Sequence, residues 1–300
     1  MNRLSRIGLG TVQFGADYGI ANRDGRPNEA EVAAILARAV ETGIGYLDTA
    51  AGYADAETLI GRHLPHGHQL RIVTKLPPIV EDVIAARQAE SALAALAASL
   101  ERLRTAQVYG VLIHHARDLA KPGWKHLIEA LREARARGWT SCIGVSVYDE
   151  SDLALVESRF TPDIVQLPFN ALDRRLAVSG WLARLHASGT EVHARSLFLQ
   201  GLLLMEPAAL PGFFAPVGKT LARLHADWAA EKLTPLSGCL RCVLRNADID
   251  VAIVGVNRLH ELNEIETAVA ELAGDEGEFG PAVAIDPVYL DPRRWPTSLQ

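Results

Sequence analysis

Asn28-Glu-Ala-Glu-Val-Ala-Ala-Ile-Leu-Ala-Arg-Ala-Val-Glu-Thr-Gly-Ile-Gly-Tyr-Leu-Asp48 holds one full unit of the fold. Asn28 with Glu31 three residues on reads as an N-cap and capping box. The stretch to Thr42 is amphipathic, and Gly43 stands where a helix C-cap belongs. Residues 45–48 then form a short strand-like run ending in an acid. The same alternation runs the length of the chain. Strand-like runs fall at 6–10, 45–48, 70–75, 108–114, 141–146, 163–167, 191–196 and 251–255. Helix-like stretches lie between them at 28–42, 55–63, 81–104, 125–138, 150–159 and 174–188, with a last one at 259–272. Gly138 and Gly189 also sit at C-cap positions. Parallel strands need crossovers, so strict alternation predicts a parallel sheet. Eight units predict a closed (β/α)8 TIM barrel. The alternative, a doubly wound open sheet, would carry a glycine fingerprint after an early strand. Gly8-x-Gly10-x-x-Gln13 has glutamine at the third glycine position.

The 300 residues are expected to form one barrel domain. The interval between the seventh and eighth strands is long enough for two extra helices, at 216–231 and 234–246, within an insertion at about 202–248. A Gly/Pro-rich irregular tail is expected from about residue 273, with Tyr289 and Trp295 either covering the mouth or mobile. The net charge of −6 is spread as alternating signs, which predicts no nucleic-acid or anionic-membrane partner. No apolar run has the length of a membrane span. Met1-Asn-Arg-Leu-Ser-Arg6 lacks the apolar core of a signal peptide, so a cytoplasmic location is expected. Three cysteines, Cys142, Cys239 and Cys242, argue against a disulfide framework. The single C-x-x-C lacks the second pair that a structural zinc site needs, so its cysteines read as small residues in a helix.

Catalytic side chains of such barrels gather at the C-terminal ends of the strands. There the second strand ends in Asp48, with Tyr53 just beyond; the third ends in Lys75; the fourth ends in His114-His115. Each alone has an ordinary structural reading: a cap, a packed ring, a core histidine. Together they put an acid, a phenol, an ammonium and an imidazole at one mouth. Lys75 carries extra weight, because the chain has five lysines against twenty-five arginines. A metal-dependent hydrolase using His114 and His115 is disfavoured, since neighbours on a strand face opposite sides. Metal ligation is not expected.

Gly45-Tyr46-Leu47-Asp48-Thr49-Ala50-x-x-Tyr53-x-x-x-Glu57 resembles the first signature of the aldo-keto reductase superfamily. Thr74-Lys75 and Ile113-His114 follow in that family's order. Ile143-Gly144-Val145-Ser146, Val165-Gln166-x-Pro168-x-Asn170 and Arg195-Ser196-x-x-x-Gln200-Gly201 are similar to a bacterial branch of it. Val254-Gly255-Val256-Asn257-x-x-x-Glu261-x-x-Glu264 resembles its adenosine-phosphate loop. The resemblance implies hydride transfer between a nicotinamide cofactor and a small carbonyl or alcohol. It makes Tyr53 the general acid/base, Lys75 its activator, Asp48 the partner of Lys75, and His114 the group that orients the carbonyl.

The same resemblance assigns Gly10, Thr11, Asp48, Ser146, Gln166, Arg195, Ser196, Leu197, Gln200, Gly201, Gly255, Val256, Asn257, Arg258, Glu261 and Glu264 to the cofactor. Four residues depart from the family's commonest pattern. Val147 stands where asparagine is usual, and Arg195 where an aromatic stacks on nicotinamide. Gly255 and Glu261 stand where a basic residue would meet a 2′-phosphate. The family's habit favours NADP(H) and these residues pull toward NAD(H); the reading tilts slightly to NADP(H). Gln13, Phe14, Tyr18, His115, Tyr148 and Phe198 form the expected substrate pocket. Its polarity suits sugars or other hydroxylated aldehydes. The non-enzymatic alternative is a nicotinamide-binding sensor or regulatory protein on the same barrel.

Overall fold

A computed structural model of the protein describes residues 3–274 and 282–299. Its eight strands are β1 (Ile7–Gly10), β2 (Tyr46–Asp48), β3 (Arg71–Leu76), β4 (Val108–Ile113), β5 (Thr140–Ser146), β6 (Ile164–Pro168), β7 (Glu191–Arg195) and β8 (Val251–Gly255). They close in chain order, β8 pairing back onto β1, and every pairing is parallel. The chain is a (β/α)8 barrel, with helices between the strands as the alternation predicted.

Side chains on a strand alternate between its two faces, and this decides both the core and the site. Leu9, Leu47, Ile72, Val111, Ile143, Val165, Val192 and Ala252 point outward into the layer between sheet and helices. Tyr46, Val73, Leu112, Ile164, Val251 and Ile253 fill the barrel's interior. Glycines make room for them. A Cβ on Gly110 would lie 2.7 Å from Ile164, and one on Gly144 2.7 Å from Leu112. Two residues on from an inward residue, the chain faces inward again, now at the C-terminal mouth. That relation links Tyr46 to Asp48, Val73 to Lys75, Leu112 to His114, Gly144 to Ser146 and Ile164 to Gln166.

Local departures from the sequence expectation have local causes. Asn28 caps the helix Glu29–Thr42 by accepting the Glu31 N–H at 2.9 Å. The Glu31 carboxylate does not close the box; it accepts instead from the N–H of Leu259, at the start of the last barrel helix. The third-unit helix begins at Ala86 rather than 81, where the Gln88 side chain accepts the Ala85 N–H. The helix expected at 174–188 is broken into Arg175–Val178 and Trp181–Ala187 by Gly180, whose φ is +82°. Between β7 and β8 lie the helices Ala215–Ala230 and Pro235–Leu244. Cys239 and Cys242 are buried in the second, and burial pushes the Cys242 thiol up to about 12. Residues 275–281 of the expected tail lie outside the described residues. Tyr289 and Trp295 pack on Phe213 and Phe214 of the insertion, with Trp295 and Phe214 ring centroids 4.9 Å apart.

Candidate active site

Lys75 is 2% exposed, so its charge must be met within the protein. The ammonium donates to both Asp48 oxygens at 2.7 and 2.8 Å and to the Thr49 carbonyl at 2.9 Å. Gln166 Nε2 also donates to Asp48 Oδ1, at 2.7 Å. Burial pulls the ammonium below its ordinary value and Asp48 opposes that pull. The Lys75 Nζ lies 5.3 Å from the Tyr53 ring centroid. His114 meets the same ring edge to face, centroids 6.1 Å apart. Burial, then the Asp48 charge, push the Tyr53 phenol up, while Arg195 draws it down. Tyr53 is thus a phenol at neutral pH, with its proton to give.

His114 Nδ1 is buried with no hydrogen-bond partner among the described residues. Burial, and behind it the Lys75 charge, lower its pKa from 6.5 to about 3. In the unfolded chain the ring takes a proton near its ordinary value of 6.5. Stability from the neutral His114 is therefore full above that pH and is lost as pH falls toward the folded value. His114→Gln should lose less Tm than the wild type on acidification from about pH 6.5 to about pH 4. Thermal unfolding at matched ionic strength checks this; parallel slopes would contradict it.

The tetrad opens into a cavity of about 1150 Å³ that runs from the barrel mouth to the helix Leu259–Glu271. Asp48, Tyr53 and His114 line it; Lys75 stands behind Asp48 and does not. Of the residues expected at the cofactor, Gly10, Thr11, Ser146, Gln166, Arg195, Ser196, Leu197, Gln200, Gly201, Gly255, Val256, Asn257, Glu261 and Glu264 line the cavity. Arg258 does not: its guanidinium donates to the carbonyls of Asn257 at 2.9 Å and Asp24 at 2.7 Å. Of the expected substrate residues, Gln13, Tyr18, Tyr148 and Phe198 line it. Phe14 and His115 do not. Phe14 lies in a single helical turn, Val12–Gly15, which turns its ring wholly into the core. His115, one residue past the inward His114, faces solvent.

The sequence reading missed a wall. Residues 16–26, after that turn, fold over the cavity and bring Gly19, Ala21, Asn22, Arg23 and Asp24 to it. Ala21 N–H donates to the Gln200 carbonyl at 3.4 Å, and Asn22 to Asn257 Oδ1 at 3.4 Å. Opposite runs a strained bend, with Ser196, Leu199 and Gln200 at φ of +61°, +48° and +57°. Asn170 holds that bend by donating to the Ser196 carbonyl at 3.0 Å. Gly201 passes so close that a Cβ there would lie 2.5 Å from that of Ala21. Gly19 and Gly25, both with positive φ, are the turn residues of this loop.

At the far end, the N-terminus of Leu259–Glu271 presents N–H groups that a helix leaves unpaired. Carboxylates take three N–H groups at and just before the helix start. Glu261 accepts from Asn257 N–H at 2.6 Å and Arg258 N–H at 3.3 Å, and Glu31 from Leu259 N–H.

A model of the Aldo/keto reductase family matches residues 6–279. The chain belongs to that family. Aldo-keto reductase structures share its fold. A putative aldo-keto reductase from Pseudomonas aeruginosa is 20% identical, covers 89% of this chain and 90% of its own, with a TM-score of 0.66. An aldo-keto reductase from Bacillus halodurans, in its holo form, is 20% identical over 88% of this chain and 86% of its own, with a TM-score of 0.69. No curated protein matches the chain. Membership implies NAD(P)H-dependent oxidoreduction of small carbonyl compounds. The cavity suits a dinucleotide: it is large for a small-molecule site. It also joins the inward tetrad to a helix N-terminus through a groove lined by polar and apolar side chains, among them Ser196, Gln200, Leu197 and Val256. Among the described residues no group of three or more His, Cys, Asp or Glu is placed to hold a metal ion. None of the described helices is long and apolar enough to cross a membrane.

Proposed function

We propose that this protein is an NAD(H)-dependent oxidoreductase acting on a small hydroxylated aldehyde, a sugar, or the matching alcohol. The observation that carries the reading is the convergence of Tyr53 and His114 on a cavity backed by the Asp48–Lys75 pair. Bound nicotinamide dinucleotide supplies the hydride or accepts it. The chain does the rest. Tyr53 Oη gives a proton to the carbonyl oxygen in reduction and takes one from the hydroxyl in oxidation. His114, neutral, orients that oxygen. Lys75 is a positioning residue: through Asp48 and Thr49 it fixes the cation behind the Tyr53 ring, where it steadies the tyrosinate that forms. Ser146 and Gln166 would meet the carboxamide. Ser196, Leu197, Gln200 and Gly201 would follow the pyrophosphate, with Gly10 and Thr11 at the floor. Gly255, Val256, Asn257 and Glu264 would hold the adenosine end.

The choice of NAD(H) moves off the slight sequence tilt to NADP(H), and the far end of the cavity supports it. A 2′-phosphate would be drawn to free N–H groups and an available guanidinium. Here Glu261 and Glu31 take the N–H groups of Asn257, Arg258 and Leu259, and the Arg258 guanidinium donates to carbonyls. Carboxylates beside the ribose suit a free 2′-hydroxyl. The hydroxylated substrate is supported by Gln13, Tyr18 and Tyr148 at the mouth. Fluorescence titration should show NADH bound at least about tenfold more tightly than NADPH, a difference of about 1.4 kcal/mol. Equal or tighter NADPH binding would overturn the preference. Turnover confined to bulky apolar ketones in a carbonyl panel would overturn the substrate class.

A further inference from the structure

Arg195 ends β7 with its side chain in the cavity that Tyr53 and His114 line. Its guanidinium is fixed in place. Nη2 donates to the Val147 carbonyl at 3.0 Å, Nη1 reaches Ser196 Oγ at 3.4 Å, and Cζ lies 4.1 Å from the Tyr148 ring centroid. Arg293 packs on the same ring with its Cζ 3.4 Å from the centroid. Two guanidinium groups that close to one centroid need one face each, so Tyr148 is clamped between them and holds Arg195 from behind.

Three neighbouring cations are paired with carboxylates. Lys75 has Asp48, Arg293 has Asp291 at 2.7 Å, and Arg117 has Asp152 at 2.7 Å. Among the described residues no carboxylate pairs with Arg195. Its charge therefore faces the cavity. Its field is felt at Tyr53, which it draws toward the tyrosinate, and at Lys75 and His114, whose cations it opposes.

We infer that Arg195 makes this site discriminate between the two oxidation states of nicotinamide, binding the reduced, uncharged ring in preference to the oxidised, cationic one. The inference rests on the function proposed above. A carbonyl held by Tyr53 and His114 needs the nicotinamide within hydride reach, and so in the part of the cavity that Arg195 flanks. A guanidinium stacks favourably on a neutral conjugated ring and repels a ring of its own charge. An aromatic residue at this position would attract the pyridinium instead. The consequence is a shifted balance on the protein. Oxidation of an alcohol would pass its hydroxyl proton to Tyr53 in its tyrosinate form and its hydride to the bound ring, whose positive charge would be lost, and this would relieve the repulsion at Arg195. Reduction restores it.

Binding, not turnover, tests this. NADH and NAD+ are titrated separately against the wild type and against Arg195→Gln and Arg195→Phe, with circular dichroism as the check on folding. The wild type should bind NADH more tightly. In either neutral variant the ratio of the two dissociation constants should fall by about tenfold, mainly through tighter NAD+ binding. Arg195→Lys should keep most of the wild-type ratio. A ratio unmoved in a folded neutral variant would overturn the inference and leave the proposed function standing. Should both neutral variants fail to fold, a wild type that binds NAD+ as tightly as NADH would overturn it equally. A wild type that binds neither nucleotide would overturn the function and this inference together.

Discussion

Tyr53→Phe is expected to lower turnover by about 10³-fold while leaving dinucleotide affinity nearly unchanged. The substitution removes one oxygen and keeps the ring that packs between Lys75 and His114. Among the described residues no other group is placed as Tyr53 is to supply the lost proton. His114 is held neutral by burial, with a pKa of about 3, and so has no acid proton near pH 7. Lys75 spends its three N–H bonds on Asp48 and Thr49. Tyr18 and Tyr148 line the same cavity, but neither packs with Lys75 as Tyr53 does. Steady-state kinetics with a nucleotide titration on the same preparation checks this. Turnover within about tenfold of wild type would remove Tyr53 from the chemistry.

Lys75→Met should act twice. It removes the cation proposed to steady the tyrosinate, and it leaves the Asp48 carboxylate buried with Gln166 as its remaining side-chain donor. Breaking a buried pair from one side costs about 3–5 kcal/mol, so a steep fall in Tm is expected along with loss of turnover. The two effects separate in the double variant Asp48→Asn/Lys75→Met, which has no buried charge to strand. Its stability should recover most of the loss while its turnover stays low. Denaturant unfolding of the three proteins reads the first quantity and initial rates the second. Recovery of turnover in the double variant would show that Lys75 acts through stability alone.

The barrel was legible because its signals are local. Alternating runs and capping glycines such as Gly43 lie within a few residues of what they control. The tetrad was legible for a related reason. A period of two carries Tyr46 to Asp48, Val73 to Lys75 and Leu112 to His114, so three strand ends announce what faces the mouth. Where a residue sits off a strand, that rule lapses. Phe14 was expected in the pocket as loop, but the turn Val12–Gly15 swings its ring into the core. His115 follows the rule one step late and faces out. Arg258 was expected at the cofactor, yet its partners are carbonyls as distant in sequence as Asp24. The wall at residues 16–26 depends on the same long-range contacts, Ala21 with Gln200 and Asn22 with Asn257, which no spacing in the sequence encodes.

Hydride transfer itself is the claim on which the rest depends, and isotope transfer measures it. The wild type is incubated with NADH deuterated at both C4 positions and a short hydroxylated aldehyde, and the product alcohol is examined by mass spectrometry. One deuterium on the former carbonyl carbon is predicted, with the signal lost in Tyr53→Phe. An alcohol without the label, or labelling that persists undiminished in Tyr53→Phe, would contradict the account.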